Sequence, residues 1–388
     1  MPDAAPSAFR AAWRNPALRW GLALVVAVFL AGVYAPFLAG ETPLVRHDAQ
    51  GLSFPIFADL FNRQAYGKPY DLVFNLLALL FPGFVVLGLI LRRWSGTARA
   101  GLGALALLIA VIACAVPFTN AGPLWRNRAL PVASPGAWQI LPPIPWRFDT
   151  VTPGAVLKAP GDVDPATGRT FYLGTDSAGK DVAAQMIAGA RISLTVGFVA
   201  AGLSLLIGLL IGAVSGYYGG WVDLMLQRIV EIMMCFPTFI LIIVVVAMLS
   251  RDIFLIMTVI GLTGWAGAAR LVRGEFLAQS VRDYVTAGEC LGLSKARIMF
   301  RHILPNALTP LVISATFGIA GAVGAESGLS FLGLGDPTVP SWGSLLEQGR
   351  ENIRYPWLIY VPGGAIFFMI TALNLVGNGL REAFDPHA

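Results

Sequence analysis

Long apolar runs separated by polar stretches dominate the chain, and they set the first expectation. A helix crosses the hydrocarbon core of a bilayer with about 20 predominantly apolar residues. Eight segments qualify: 19–38, 72–91, 101–118, 192–213, 229–249, 253–269, 308–329 and 358–376, the sixth being short. The first is too long for a cleaved signal peptide, and no A-x-A-like site follows it. Composition agrees with this pattern: 56% of residues are hydrophobic, 13% are charged, and the mean hydropathy is +0.70. That is about half the charged share of a soluble domain, too little to cover a globular surface of 388 residues. Disorder, a secreted disulfide scaffold and an ordinary cytosolic enzyme are excluded. The expected fold is all-α, a polytopic membrane helix bundle.

The net charge of +5 then reads as topology rather than as a nucleic-acid patch. Arg10, Arg14 and Arg19 precede the first span and place the N-terminus in the cytoplasm. Alternation from there puts Arg92, Arg93, Arg99, Arg228, Arg270, Arg273, Arg282, Lys295, Arg297, Arg301 and Arg381 inside as well, with a cytoplasmic C-terminus. The chain divides into a tail, first span and outside segment (1–71), an extra pair of spans (72–118), a Pro/Gly-rich outside segment (119–190) and a core (191–388). The stretch 177–191 reads as a short surface helix before the fourth span. The three cysteines, Cys114, Cys235 and Cys290, are scattered and odd in number, which favours small buried or half-buried residues over a disulfide or metal framework.

Enzyme chemistry finds little support. Gly174-Thr-Asp-Ser-Ala-Gly179-Lys180-Asp181 matches seven positions of a P-loop, but Asp replaces the hydroxyl that would ligate magnesium, and Asp176 would repel phosphate. Asp176 and Asp181 fit a turn and a cap better than a catalytic pair. His47, His302 and His387 are far apart, and no metalloprotease, C-x-x-C or nucleophile-elbow motif occurs. Small residues Ser204, Gly208, Gly212 and Gly216 share one face of the fourth span, and Gly318, Gly321 and Gly324 one face of the seventh. Both faces suit close helix packing, with pore lining as the alternative. Polar residues within spans are functional candidates by default. Glu231 has Arg228 one helical turn away. Pro237 predicts a kink. Asn374 suits a bond between helices or a substrate contact, and Glu326 suits a substrate amine or water.

The most informative stretch lies between the sixth and seventh spans, at 273–305. Its apolar residues recur at helical spacing, but it is too polar to span. Gly292-Leu293-Ser294 interrupts it, and Ser294 caps a second helix running to Pro305. Ala287 and Gly288, beside Leu291 and Leu293, suit a short helix that docks in a partner's groove.

These residues resemble the inner-membrane permease subunits of ABC importers, in the dipeptide/oligopeptide C-type branch. The loop is similar to that family's EAA motif, with Thr286-Ala287-Gly288 at the E-A-A positions and Gly292 and Leu304-Pro305 at the expected offsets. Leu173-Gly-Thr-Asp176, Gly189-Ala-Arg-Ile-Ser-Leu194, Ser215-Gly-Tyr-Tyr-Gly-Gly-Trp-Val-Asp223, Leu329-Ser-Phe-Leu-Gly-Leu-Gly335 and Pro340-Ser-Trp-Gly343 extend the resemblance over 173–386. Pro43-Leu-Val-Arg46 and Phe54-Pro55 resemble the Yej-type peptide and microcin permeases. The resemblance implies a type I importer permease in the bacterial inner membrane, forming half of a path for di- or oligopeptides. It implies as partners a second homologous permease, two ABC ATPases that use ATP and magnesium, and an outside solute-binding protein. It implies no cofactor on this chain. Tyr284, Ala287, Gly288, Glu289, Leu291, Gly292, Leu293, Arg297 and Pro305 are then the residues that couple to the ATPases. Nickel or another small solute as cargo, an ion-coupled carrier or channel, and an outside enzyme using Asp176 and Asp181 are the competing readings.

Overall fold

The structure, a computed structural model, describes residues 15–48, 51–62, 64–90 and 137–384. The expected third span, 101–118, lies outside them. In chain order the described elements begin with helices α1 (Pro16–Val33) and α2 (Ala35–Leu38), strands β1 (Val45–Asp48) and β2 (Gly51–Ser53), and helices α3 (Pro55–Asp59) and α4 (Pro69–Ile90). Strand β3 (Trp138–Ile140) and helices α5 (Val182–Tyr218), α6 (Gly220–Cys235), α7 (Thr238–Met248) and α8 (Ile253–Ser280) follow. The chain continues with α9 (Asp283–Cys290), α10 (Lys295–Arg297), a π-helical turn (Ile298–Ile303), α11 (Leu304–Phe331), α12 (Trp342–Glu351) and α13 (Trp357–Phe384). Among the described residues five helices are long and apolar enough to cross a membrane, or six when the bent pair α6–α7 counts as one. The second expected span corresponds to α4.

Several expectations about boundaries are corrected. The surface helix expected before the fourth span is not separate, because α5 runs unbroken for 37 residues. At 1.5 Å per residue that is about 55 Å, well beyond the hydrocarbon core. No proline interrupts it, and its glycines, Gly202 apart, meet close neighbours. A Cβ at Gly208, Gly212 or Gly216 would meet Ala268, Ala269 or Phe276 and the α8 backbone at 3.0 Å or less. Close helix packing therefore accounts for this face. The short sixth span continues past 269 to Ser280, since Val272 and Phe276 remain buried there. The helix that Ser294 caps does not stop at Pro305. It passes through the π turn into α11, with Pro305 in the first turn of α11, where its missing N–H is tolerated. The kink expected at Pro237 is present: α6 and α7 meet at 79° across Phe236-Pro237. Phe236 is extended, as residues before proline tend to be.

The chain forms two compact units. One comprises Met1–Val26, Ser193–Val339 and Gly363–Ala388; the other comprises Ala27–Ile192 and Pro340–Pro362. In the first, α8 is the central element. Asp252 caps it by accepting from the Phe254 and Leu255 N–H groups, and Asp336 accepts from Ile253 N at 3.1 Å.

The second unit contains structure that the apolar pattern does not predict. Strands β2-β1-β3 form a small antiparallel sheet. Trp146 stacks on Phe171 with ring centroids 4.5 Å apart in a small core with Ala155 and Ala184. Arg191, only 2% exposed, fastens three segments together. It donates to the carbonyls of Gly32 at 2.7 Å and Val33 at 3.3 Å, to Asn75 Oδ1 at 2.7 Å, and to Asp71 at 3.3 Å. The Tyr66 and Phe74 rings flank its guanidinium at 5.7 and 5.4 Å. The helix at the first position of the expected extra pair, α4, is thereby tied to α1 and α5 rather than appended to them.

Candidate coupling elbow and pathway

The loop singled out by sequence folds as an elbow. α9 is a helix of 8 residues, Gly292 turns the chain at φ +74, and the Ser294 hydroxyl accepts from Arg297 N at 3.4 Å to start the next helix. That positive φ is why glycine is needed here. The inner face of the elbow is apolar. Val285, Ile298, Met299 and Ile303 pack with Ala213 of α5, Val272 and Phe276 of α8, and Ala307 and Leu311 of α11. Three long helices thus share one core with the elbow.

The residues expected to couple divide by face. Gly288 is buried, with Leu293 and Ile298 about it. A Cβ there would make only ordinary contacts of 3.5–3.7 Å with them, so this position points to the elbow's own core. Leu293 is half-buried on the same core. Tyr284, Ala287, Glu289, Leu291, Gly292, Arg297 and Pro305 are on the exposed face, with Leu291 80% exposed at the tip. Cys290 beside it is exposed too, and so is Cys235, which corrects the expectation that the cysteines are buried or half-buried; Cys114 lies outside the described residues.

Sequence reasoning missed the groups that hold the elbow. The Tyr217 hydroxyl donates to Glu289 Oε1 at 3.2 Å, and Lys295 Nζ lies 5.2 Å from the Tyr218 ring. The end of α5 therefore grips both arms of the elbow. Arg273 forms a bidentate pair with Asp223, both bonds at 2.6 Å, and Asp223 also accepts from Ser215 Oγ at 2.5 Å. The block Ser215–Asp223 was legible as a motif, but these contacts reach up to 77 residues along the chain, from Tyr218 to Lys295.

Among the pathway candidates, Glu231 pairs with Arg228 at 2.7 Å on the surface, beside an open polar cavity of about 600 Å³ that Arg270 and Arg273 also line. Glu326 is 1% exposed and accepts from Ser330 Oγ at 2.7 Å within its own helix. Asn374 is half-buried on α13. The glycines of the seventh span behave differently from those of the fourth. Gly321 has nothing within 4 Å of a built Cβ, and Gly318 has only Ala201 at 3.6 Å. With Ser204, Thr238 and Gly264 they line a cavity of about 400 Å³. Tight packing does not explain that face.

The P-loop-like stretch is a closed polar turn. Asp176 Oδ1 accepts from Ala178 N and Lys180 N, both at 2.8 Å, and its Oδ2 accepts from Gln185 at 2.9 Å. Asp181 accepts from Ala184 N at 2.7 Å at the start of α5, as a cap does. Both carboxylates are used structurally. Burial, opposed by the Ala184 and Ala183 N–H groups and reinforced by Asp176, pushes the Asp181 carboxyl up to about 7. Its neutral form is favoured by folding. Its stabilising effect is therefore full below the unfolded value of 3.8 and is lost as pH rises through about 7. Thermal denaturation of the wild type should show this loss between pH 4 and 8, and Asp181→Asn should flatten the profile and be the more stable protein at pH 8. A steeper profile in the variant would contradict the assignment.

Comparison with known proteins matches residues 208–388 to the family described as binding-protein-dependent transport system inner membrane component. The peptidoglycan transport system permease protein YejE of Agrobacterium fabrum is 36% identical over 270 residues, covering 64% of this chain and 71% of that protein. The oligopeptide transport system permease protein OppC of Bacillus subtilis is 37% identical over 227 residues, covering 58% and 74%. The dipeptide transport system permease protein DppC of Alkalihalophilus pseudofirmus is 37% identical over 217 residues, covering 55% and 71%.

Proposed function

We propose, since the chain belongs to the family of binding-protein-dependent transport system inner membrane components, that it is the permease subunit of an ATP-driven importer and forms half of the path for di- or oligopeptides. Peptide permeases among its relatives support this cargo over nickel, another small solute or ion-coupled transport. The chain is a multi-pass protein of the bacterial inner membrane with both termini in the cytoplasm, and a second homologous permease completes the path. Two ABC ATPases use ATP and magnesium below it, and a solute-binding protein delivers peptide from outside. This chain binds no cofactor and hydrolyses nothing itself.

The observation that carries the reading is the elbow, anchored inward on α5, α8 and α11 and presenting Tyr284, Leu291 and Arg297 outward. ATP binding by the partner subunits moves that outer face, and the shared core passes the movement to the spans. A ligand shifts such an equilibrium only by its differential affinity for the two states, so the driving energy enters at the ATPases. The Gly318–Gly321 face and its cavity are the part of the path this subunit supplies, and the 79° break at Pro237 is where α6 and α7 accommodate the change.

Proteoliposomes holding both permeases and both ATPases should accumulate labelled peptide only with ATP inside the ATPase-facing compartment and binding protein on the other side. Uptake that persists with an inactive ATPase, or that follows an ion gradient, contradicts the reading. A cognate binding protein that takes metal ions alone contradicts the cargo.

A further inference from the structure

The small β2-β1-β3 sheet is inside out. Its register aligns Leu52, His47 and Trp138 in one cross-strand row, with Val45 and Ile140 in the next row on the same face. This apolar face is turned outward, with Leu52 57%, Trp138 45% and Ile140 51% exposed. The opposite face carries Arg46, Asp48 and Gln139, all half-buried, with Arg46 and Asp48 paired at 3.1 Å. A half-solvated antiparallel sheet in water has the reverse pattern, polar out and apolar in. An exposed apolar patch of this kind marks a contact.

Two observations say with what. First, the sheet is pinned to the end of the first apolar span: Ile144 N donates to Leu38 O at 2.9 Å, and Leu44 N donates to Ile140 O at 2.8 Å. Second, an unbroken series of edge-on rings leads from that span to the sheet. Tyr34 meets Phe37 at 6.1 Å, Phe37 meets Phe57 at 6.1 Å, and Phe57 meets Phe54, the residue after β2, at 6.4 Å. Phe54 and Phe57 are exposed as well. The face carries no carboxylate, and its one polar ring, His47, lies flat on Trp138 at 5.8 Å. Aromatic side chains continuous with a span end, mixed with a few polar groups, are the composition of the membrane–water interface.

We propose that the apolar face of this sheet lies in the interfacial layer of the outer leaflet, with phospholipid as its occupant. The sheet then fixes the height of its unit against the bilayer. The proposal rests on the reading of 19–38 as a crossing span whose C-terminal end is outside.

The test uses the assembled transporter in nanodiscs of phosphatidylethanolamine and phosphatidylglycerol, with Cys114→Ser, Cys235→Ser and Cys290→Ser and a nitroxide on Leu52→Cys. Collisions with oxygen should exceed those with a water-soluble nickel chelate several-fold, and added solute-binding protein should change neither. A label at Val156→Cys, exposed elsewhere in the same unit, should show the reverse ratio. Nickel accessibility at 52 equal to that at 156 overturns the proposal, as does a label at 52 shielded from both reagents or shielded only when the binding protein is present. The topology is read separately, by an impermeant maleimide on Val156→Cys in spheroplasts. Labelling only after lysis would refute the sidedness without altering the lipid result at 52.

Discussion

Leu291→Glu should insert and fold like the wild type yet lose ATP-driven uptake. Leu291 is 80% exposed at the tip of the elbow, so a charge there costs the isolated chain nothing in packing. At a docked interface the same charge is buried without a partner, at about 2 kcal/mol or more, which lowers occupancy roughly thirty-fold. The expected result is uptake reduced at least about tenfold, with unchanged amounts of chain in the membrane and an unchanged denaturation midpoint. Co-purification of the ATPases should fall in parallel. A charged replacement at Gly288 is a poorer test of docking. Gly288 faces Leu293 and Ile298, so glutamate there would displace α9 from its own core before any partner is met. Full uptake by Leu291→Glu would remove the elbow tip from the coupling surface.

Arg191→Met should have the largest effect on stability. The side chain is buried and meets two carbonyls, Asn75, Asp71 and two rings, so its removal strands several polar groups at once. Breaking one partner out of a buried ion pair typically costs about 3–5 kcal/mol, because the other charge stays buried and unpaired. The midpoint of thermal denaturation in detergent should drop by several degrees, and protease should cut the segments 39–68 and 137–181 sooner. Adding Asp71→Asn should recover part of the loss, since it removes the stranded carboxylate. If the single variant were as stable as the wild type, the extra helix α4 would not be held by this arginine.

Much of this was legible in the apolar pattern. The segments at 192–213, 308–329 and 358–376 fall within α5, α11 and α13, because a run of apolar residues without proline at its centre has one stable conformation in lipid. Pro237 and Ser294 were readable for the same kind of reason: each acts through its own backbone, at the kink and at the cap. Helix ends were not readable. Ser280 and Tyr218 lie beyond their apolar runs and are set by what α5 and α8 pack against there. The sheet escaped notice because its strands have three or four residues, and β3 follows β1 after about ninety residues of chain, beyond the reach of any local pattern. The grips from Tyr217 to Glu289 and from Arg191 to Asn75 are likewise contacts of tertiary structure. Which side of so short a helix turns inward is equally hidden from the sequence, which does not separate buried Gly288 from exposed Leu291.

The central claim is that a cytoplasmic ATPase touches this elbow, and native Cys290 provides the probe, since it is exposed next to Leu291. In the assembled complex, with Cys114→Ser and Cys235→Ser as background, a short bifunctional thiol reagent should join this chain to an ATPase subunit carrying a cysteine in its permease-binding groove. The yield should change between the ATP-bound and nucleotide-free states and vanish with Cys290→Ser. No cross-link in either state, together with labelling of Cys290 by an impermeant thiol reagent from the periplasmic side of intact spheroplasts, would contradict it.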